Sequence, residues 1–329
     1  MLTERENMLL VLEGRQPEWI PNYGVASIKV SPNCIARKLD PATGYMVDAC
    51  GVEFIQEIDG LIPVHTKDQQ FTMTDITKWR EYLPKIDWNA IDWEQDVKES
   101  LASRYSYYGD PAGNDKVTDY VFGYLWDEMH YLMGFENALC ALLEEPECCY
   151  NFLQALADCY IEVFHRYCQY WKPDVAMLVE HVANNRGLLM SPDLYREIIK
   201  PAQQKVYQAI IEEGVYPEIH TDGDFNVIIP DYAEIGVKVI QPFQIYNDIE
   251  GAKEKYGIVC IGGWDSFGPG NVPDATEEEI RQSVRTAMDT YGRTNRYAIY
   301  FSGCTARNPE RMEILADEAK RYGHQFYRR

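Results

Sequence analysis

The sequence predicts an α/β protein built as a single (β/α)8 TIM barrel spanning residues 1–329, with N-terminal helical and hairpin elaborations. Three observations predict it. From about residue 175 onwards strands and helices alternate cleanly in at least five β–α units, a rhythm that forces parallel strands covered by helices. The length of 329 residues suits one large α/β domain, and 46% apolar residues are ample for its core. Neither a G-x-G-x-x-G turn after an early strand nor a G-x-x-x-x-G-K-[ST] loop occurs, so Rossmann and P-loop folds have no fingerprint.

The elements follow in order. Thr3-Glu-Arg-Glu6 is a capping-box pattern ahead of an apolar run at 8–12, and Gly14 ends the helix it opens. Pro17 and Pro21 bracket a strand near 20–23. Residues 25–50, punctuated by Pro32, Pro41 and Gly44, read as loops and short helices. Period-two alternation over 52–58 runs into Asp59-Gly60, a hairpin turn that stands outside the β–α rhythm. Asp75 caps a short helix to 82, and an amphipathic helix over 93–105 aligns Trp93, Val97 and Leu101. A strand at 117–122 precedes helices at 126–133, 136–143 and 147–171. Then come strand 175–180, a helix over 193–213 announced by Ser191-Pro192, strand 215–220 and a helix at 225–235. Strand 237–241, helix 249–256, strand 258–262, helix 276–291, strand 296–301 and helix 309–322 complete the chain.

Composition excludes several functions. A formal charge of −21 argues against nucleic acid, whose binding rests on Lys and Arg neutralising phosphates. Every apolar run stops well short of a membrane span, and Met1-Leu-Thr-Glu-Arg-Glu6 lacks the basic start and apolar centre of a signal peptide, so a cytoplasmic protein without membrane contact is expected. Nine Cys include no C-x-x-C pair, so neither a zinc ribbon nor a redox dithiol is signalled.

The site of such a barrel belongs at the C-terminal ends of the strands. Those ends carry Asn22 and Tyr23, Glu180 and His181, His220 and Asp222, Gln241 and Gln244, Trp264 and Asp265, and Ser302-Gly-Cys304. His220 and Asp222 stand two apart on a strand, so imidazole and carboxylate leave it on one face, and Gly223 lets the backbone turn. Glu180, His220 and Cys304 are zinc-ligand types on three strands, with Asp222 offering a fourth; catalytic zinc takes three protein ligands and leaves one position open. The plainer alternative makes Asp222 a turn cap, His220 a packed core residue, Glu180 a partner of Arg186 and Cys304 an inert thiol. Tyr23, Tyr124, Trp126, Phe243 and Trp264 either line an aromatic pocket or pack the barrel.

Four fragments carry a resemblance. They are Met190-Ser-Pro-Asp-Leu-Tyr-Arg-Glu-Ile-Ile-Lys-Pro201, His220-Thr-Asp-Gly-Asp224, Glu234-Ile-Gly-Val-Lys-Val-Ile-Gln-Pro-Phe-Gln244, and Lys255-Tyr-Gly257 with Gly262-Gly263. In this order and spacing the chain resembles the uroporphyrinogen decarboxylase superfamily, a (β/α)8 fold that includes corrinoid-dependent methyltransferases. The likeness runs from about residue 3 to 323 and is strongest after 170. In the methyltransferase branch the zinc site is similar to H-x-C on one strand plus a later Cys in a Gly-Cys turn. His220 matches the first ligand and Cys304 the last, whereas Asp222 stands where the middle Cys belongs and Glu180 is the substitute. The resemblance therefore implies zinc on His220, Cys304 and Glu180, catalytic roles for Asp222, Glu180 and Tyr23, and corrinoid contacts from Trp264, Gln241 and Asn22. It implies a methyl group moved from a small methylated substrate, such as a methyl ether, to the corrinoid (cobalamin) of a partner protein. Asp in place of Cys hardens the site and favours oxygen over sulfur in its open position. The decarboxylase itself is similar to an enzyme with an Arg-rich segment after its first strand; the matching stretch here, Asn22-Tyr-Gly-Val-Ala-Ser-Ile-Lys29, has no Arg. Two other readings stay open: a decarboxylase-like lyase acting on a carboxylated substrate without metal, and a non-catalytic relative that binds a ligand.

Overall fold

Seven parallel strands form the sheet on which everything else is mounted. The structure, a computed structural model, describes residues 2–56, 63–65, 71–110, 113, 115–302 and 309–328. Helices α1 (Glu4–Leu12) and α2 (Tyr23–Ala26) precede β1 (Ser27–Val30). The short strands β2 (Lys38–Leu39), β3 (Met46–Val47), β4 (Glu53–Gln56) and β5 (Pro63–His65) form a separate antiparallel sheet, and α3 (Trp93–Tyr107) leads into β6 (Val117–Tyr124). Next come α4 (Trp126–Met133), α5 (Phe135–Glu144), α6 (Pro146–Cys168) and β7 (Val175–Val179). A small hairpin, β8 (Ala183–Asn184) and β9 (Gly187–Leu188), then α7 (Pro192–Leu194) and α8 (Lys200–Glu212), lead to β10 (Tyr216–His220). The remainder alternates: α9 (Ile229–Glu234), β11 (Val239–Phe243), α10 (Ile249–Tyr256), β12 (Val259–Gly263), α11 (Glu277–Tyr291), β13 (Tyr297–Tyr300) and α12 (Pro309–Phe326).

The sheet order β1-β6-β7-β10-β11-β12-β13 follows the chain, so each new strand is added at the same edge and the sheet curls. A parallel bridge between Asn22 and Ile299 ties β13 back to the segment just before β1, and the Ile299 N–H donates to the Pro21 carbonyl at 3.0 Å. The expected strand at 20–23 contributes that bridge and no more. The regular first strand lies at Ser27–Val30, within the stretch expected to be loop, because Ser27 and Lys29 interrupt the apolar run that would announce it. The expected hairpin pairs β4 with β5 antiparallel, while its Asp59-Gly60 turn lies outside the described residues. The expected single helix over 193–213 is interrupted by a π-turn at Tyr195–Ile199. Pro201 has no N–H and its ring collides with the carbonyl four residues back, so a widened turn lets the helix continue past it.

Alternation along the strands sorts side chains into two cores. Tyr120, Phe122, Ala176, Leu178, Ile219, Ile240, Cys260 and Ile299 face outward and pack under the helices. Val117, Val175, Val239, Val259, Ile261 and Ala298 face inward, and most of them start their strands. Met8 and Val11 of α1, both fully buried, join this inner cluster with Leu12. Helix α1, held by its Thr3–Glu6 capping box, thus closes the end of the curl where the strands begin. Among the described residues no helix is long and apolar enough to cross a membrane.

Candidate functional site

At the opposite end, β10 sends His220 and then Asp222 inward by the same alternation that turns Ile219 outward. His220 lies between Val179 of β7 and Gln241 of β11 in the register. Its Nδ1–H donates to Gln241 Oε1 at 2.6 Å, since an amide oxygen only accepts. That bond leaves Nε2 with its lone pair, 3.7 Å from Asp222 Oδ2. Gly223 makes the sharp exit from the strand. Its φ is +99°, and a Cβ there would lie 2.6 Å from the Ala183 carbonyl carbon and the Asn184 nitrogen. The turn is pinned by Gly223 N–H to Gln244 Oε1 at 2.7 Å and Asp224 N–H to the Asn184 carbonyl at 2.7 Å.

β7 supplies the third group. Continuing its inward parity past Val175, Met177 and Val179 gives His181, whose Nε2 is 3.5 Å from Asp222 Oδ2. Its Nδ1 is 2.5 Å from Asp127 Oδ2, and its backbone N–H donates to Asp127 Oδ1 at 3.1 Å. Asp127, fully buried in the first turn of α4, is also 3.2 Å from His130 Nε2. His181, His220 and Asp222 each offer one ligand atom within 4.8 Å of the others. Burial disfavours a charged imidazole at His181, yet the Asp127 and Asp222 carboxylates outweigh it and hold its pKa up at about 10. His220 is the reverse: burial, with Lys29 adding to it, pulls it down to about 4 against the pull of Asp222. Asp127 is raised by burial but brought down to about 2 by His130 and His181, and Asp222, likewise against burial, is lowered through His181. The site therefore pairs a neutral imidazole and an ionised carboxylate with a second imidazole clamped between two carboxylates.

The sequence profile of uroporphyrinogen decarboxylase (URO-D) matches residues 125–322, more than half of the chain. The chain belongs to the uroporphyrinogen decarboxylase family. Among solved structures this family member is similar to a methyltransferase from Methanosarcina mazei, at a TM-score of 0.69 and 16% identity, covering 98% of this chain and 99% of that one. At that identity the likeness speaks to the fold alone. A B12-independent methionine synthase from Shewanella sp. W3-18-1, in complex with selenomethionine, overlaps 70% of this chain and 66% of its own at 10% identity and a TM-score of 0.44, too low to bear an inference. No curated protein matches the sequence.

Within this uroporphyrinogen decarboxylase family chain the other anticipated residues are distributed as follows. Glu180 follows Leu178 on the outward parity and is fully buried away from the cluster; its two oxygens accept the Leu125 and Trp126 N–H groups at 3.0 Å each, capping the start of α4. Cys304 lies outside the described residues. Asn22 accepts the Gly24 N–H at 3.1 Å as the N-cap of α2. Trp264 donates its indole N–H to Ser283 Oγ of α11 at 2.9 Å and packs edge-on against Phe301, outside the sheet. Phe243 and Trp126 are fully buried in the same outer core, so these rings pack helices and line no inner pocket. Gln241 does meet the cluster, through His220.

Tyr23 sits deeper inside the curl, in a polar layer between the apolar floor and the histidines. Its hydroxyl donates to Glu218 Oε2 at 2.8 Å and lies 3.3 Å from Asp119 Oδ2. Burial and the Glu218–Asp119 neighbourhood raise this phenol, and burial lifts Asp119 to about 7 against Lys29 and Tyr23. The Lys29 ammonium stands 5.9 Å from the centre of the Tyr300 ring. Sequence reasoning missed Asp127, Asp119, Glu218 and Lys29 as partners of the site. His181 was within its reach, since the i, i+2 rule that selected Asp222 also selects His181 over Glu180.

Proposed function

We propose that this chain is a zinc-dependent methyltransferase that moves a methyl group from a small methylated substrate to a corrinoid carried by a partner protein. It would act at the mouth of a (β/α)8 barrel in which residues 20–22 serve as the eighth strand. One observation carries the reading: His181, His220 and Asp222 bring two imidazoles and a carboxylate within 4.8 Å at the C-terminal ends of adjacent strands. The donor set fits zinc. Each imidazole has its Nδ1 engaged, by Asp127 or Gln241, and turns Nε2 towards Asp222, the arrangement in which an outer carboxylate or carbonyl orients a metal-binding histidine. His181 takes the place foreseen for Glu180, and Cys304, after β13, is a proposed further ligand. Family membership and the fold shared with a methyltransferase support the reaction class.

When bound, zinc supplies Lewis acidity to the heteroatom that loses the methyl group. The residues of the chain do the rest. Gln241 keeps His220 in the tautomer that presents Nε2, and Asp127 fixes the plane of the His181 ring. Asp222 keeps the donor set hard, so an oxygen substrate is preferred over a thiol. Below them Tyr23, Glu218 and Asp119 form the polar wall against which the substrate rests.

A second reading has one observation in its favour. The His181 imidazolium, held between Asp127 and Asp222, is a cation in its own right and would receive a carboxylated substrate in a metal-free lyase. Metal analysis decides between them. Protein purified without added metal should carry zinc at this site, and His220→Ala and Cys304→Ala should each lose one equivalent of zinc together with methyl transfer. Full turnover in both variants rules the metal reading out, and zinc-free protein that acts on a carboxylated compound establishes the lyase.

A further inference from the structure

A second cluster lies under the antiparallel sheet, apart from the site above. Asp48 and Cys50 stand between β3 and β4, and Glu128 is in the first turn of α4. One ligand atom from each lies within 4.8 Å of the others. Cys50 and Glu128 are each 3% exposed. Asp48 Oδ1 accepts the Cys50 and Val52 N–H groups at 3.0 and 2.9 Å, which fixes the carboxylate. Its Oδ2 and Glu128 Oε1 receive no hydrogen bond from outside the cluster among the described residues, and the Glu128 carboxyl meets the Asp48 carboxyl and the Cys50 thiol within it. Two carboxyl groups buried side by side with a thiol must share a proton or hold a cation between them. All three side chains line a cavity of about 260 Å³ that also receives Arg37 and Arg104. The Arg37 guanidinium is spread over the Phe54 ring at 4.1 Å and the Tyr124 ring at 5.2 Å, so it adds positive charge to the cavity while its own face is held by the rings.

We propose that Asp48, Cys50 and Glu128 form a second cation site, selective for a divalent ion of borderline softness such as zinc, with its remaining position open to the cavity. A thiolate with two carboxylates disfavours magnesium and calcium, which take oxygen alone, and suits zinc or cobalt. On a tetrahedral ion adjacent donors stand roughly 3.4–3.7 Å apart, so donors lying within 4.8 Å of one another must draw in by up to about an ångström to close on one. The competing occupant is the proton. Burial raises Glu128 and Cys50 well above their ordinary values, and metal binding must displace those protons. The open position faces Arg37 and Arg104, which fits a small anion as the exchangeable ligand.

The test uses cobalt(II) on the full chain in a His220→Ala/Cys304→Ser background, which silences the other site and its thiol. That protein should still bind about one equivalent by equilibrium dialysis, with the near-ultraviolet charge-transfer band of a thiolate–cobalt bond. Cys50→Ser should abolish the band, and Glu128→Gln and Asp48→Asn should each weaken binding about 10–100-fold with circular dichroism unchanged. A background protein that binds no cobalt overturns the proposal and leaves the first site standing. So does a band that survives Cys50→Ser, or an affinity indifferent to both Glu128→Gln and Asp48→Asn. Loss of cobalt from the wild type on His220→Ala alone, with none left behind, has the same meaning.

Discussion

Asp127 acts on the proposed metal through His181, and its removal should show that indirect role. Asp127→Asn keeps the shape but gives up the charge that orients the imidazole, so zinc affinity should fall about 10–100-fold while the fold persists. Competition with a chromophoric chelator measures it; unchanged affinity would mean that His181 needs no such support. Asp119 offers a pH signature. Burial lifts its carboxyl to about 7, above the unfolded value of about 3.9, so the folded chain holds this proton more tightly. Its contribution to stability is complete below about pH 4 and is lost as pH rises through about 7. Urea unfolding between pH 5 and 8 should therefore show a decline in the wild type that Asp119→Asn makes shallower, the remainder coming from the raised carboxyls of Glu218, Glu180 and Glu128. At this scale period-two parity made His220 and Asp222 legible, and Gln241 stood at the next strand end. Asp127 was not legible, because its partner His181 is 54 residues away and only the packing of α4 on β7 joins them.

Glu180 shows how an element can claim a residue that looks like a ligand. Its carboxylate holds the first two N–H groups at the start of α4, the helix that carries both Asp127 and Glu128. Glu180→Gln retains one acceptor oxygen and leaves the other N–H unpaired in a buried place, at about 1–3 kcal/mol. Denaturant titration should record that loss while zinc stoichiometry stays at the wild-type value; loss of zinc with stability intact would return Glu180 to the metal. The β–α rhythm of the second half was readable because each buried strand is a short apolar run bounded by Gly, Pro or Asn, and Ser191, Asp248 and Thr276 cap α7, α10 and α11. β1 was not, since Lys29 and Ser27 turn into the polar interior of the curl, where period and hydropathy part company. The π-turn before Pro201 was also hidden, because the apolar period runs through it unbroken.

Across the whole molecule, α11 and α12 meet around a buried carboxylate, with Asp317 adding a second contact to Arg281. Glu318, 1% exposed at its side chain, receives Arg281 at 3.0 Å and Arg285 at 2.7 Å, with Arg321 closing the third side. Glu318→Gln should cost about 2–4 kcal/mol, less than a fully buried pair because the arginines reach water. Thermal unfolding monitored beside zinc content checks it, with stability falling and metal retained. The helix at the other end of the molecule has a different consequence. Met8 and Val11 of α1 cover the start of the strands, so that end of the curl has an apolar floor. In the proposed transfer the reactant nearer that floor would be enclosed by the one at His181 and Asp222. Whatever binds deepest binds first and leaves last. The two reactants of the proposed transfer must queue, and the order of that queue is written in the floor.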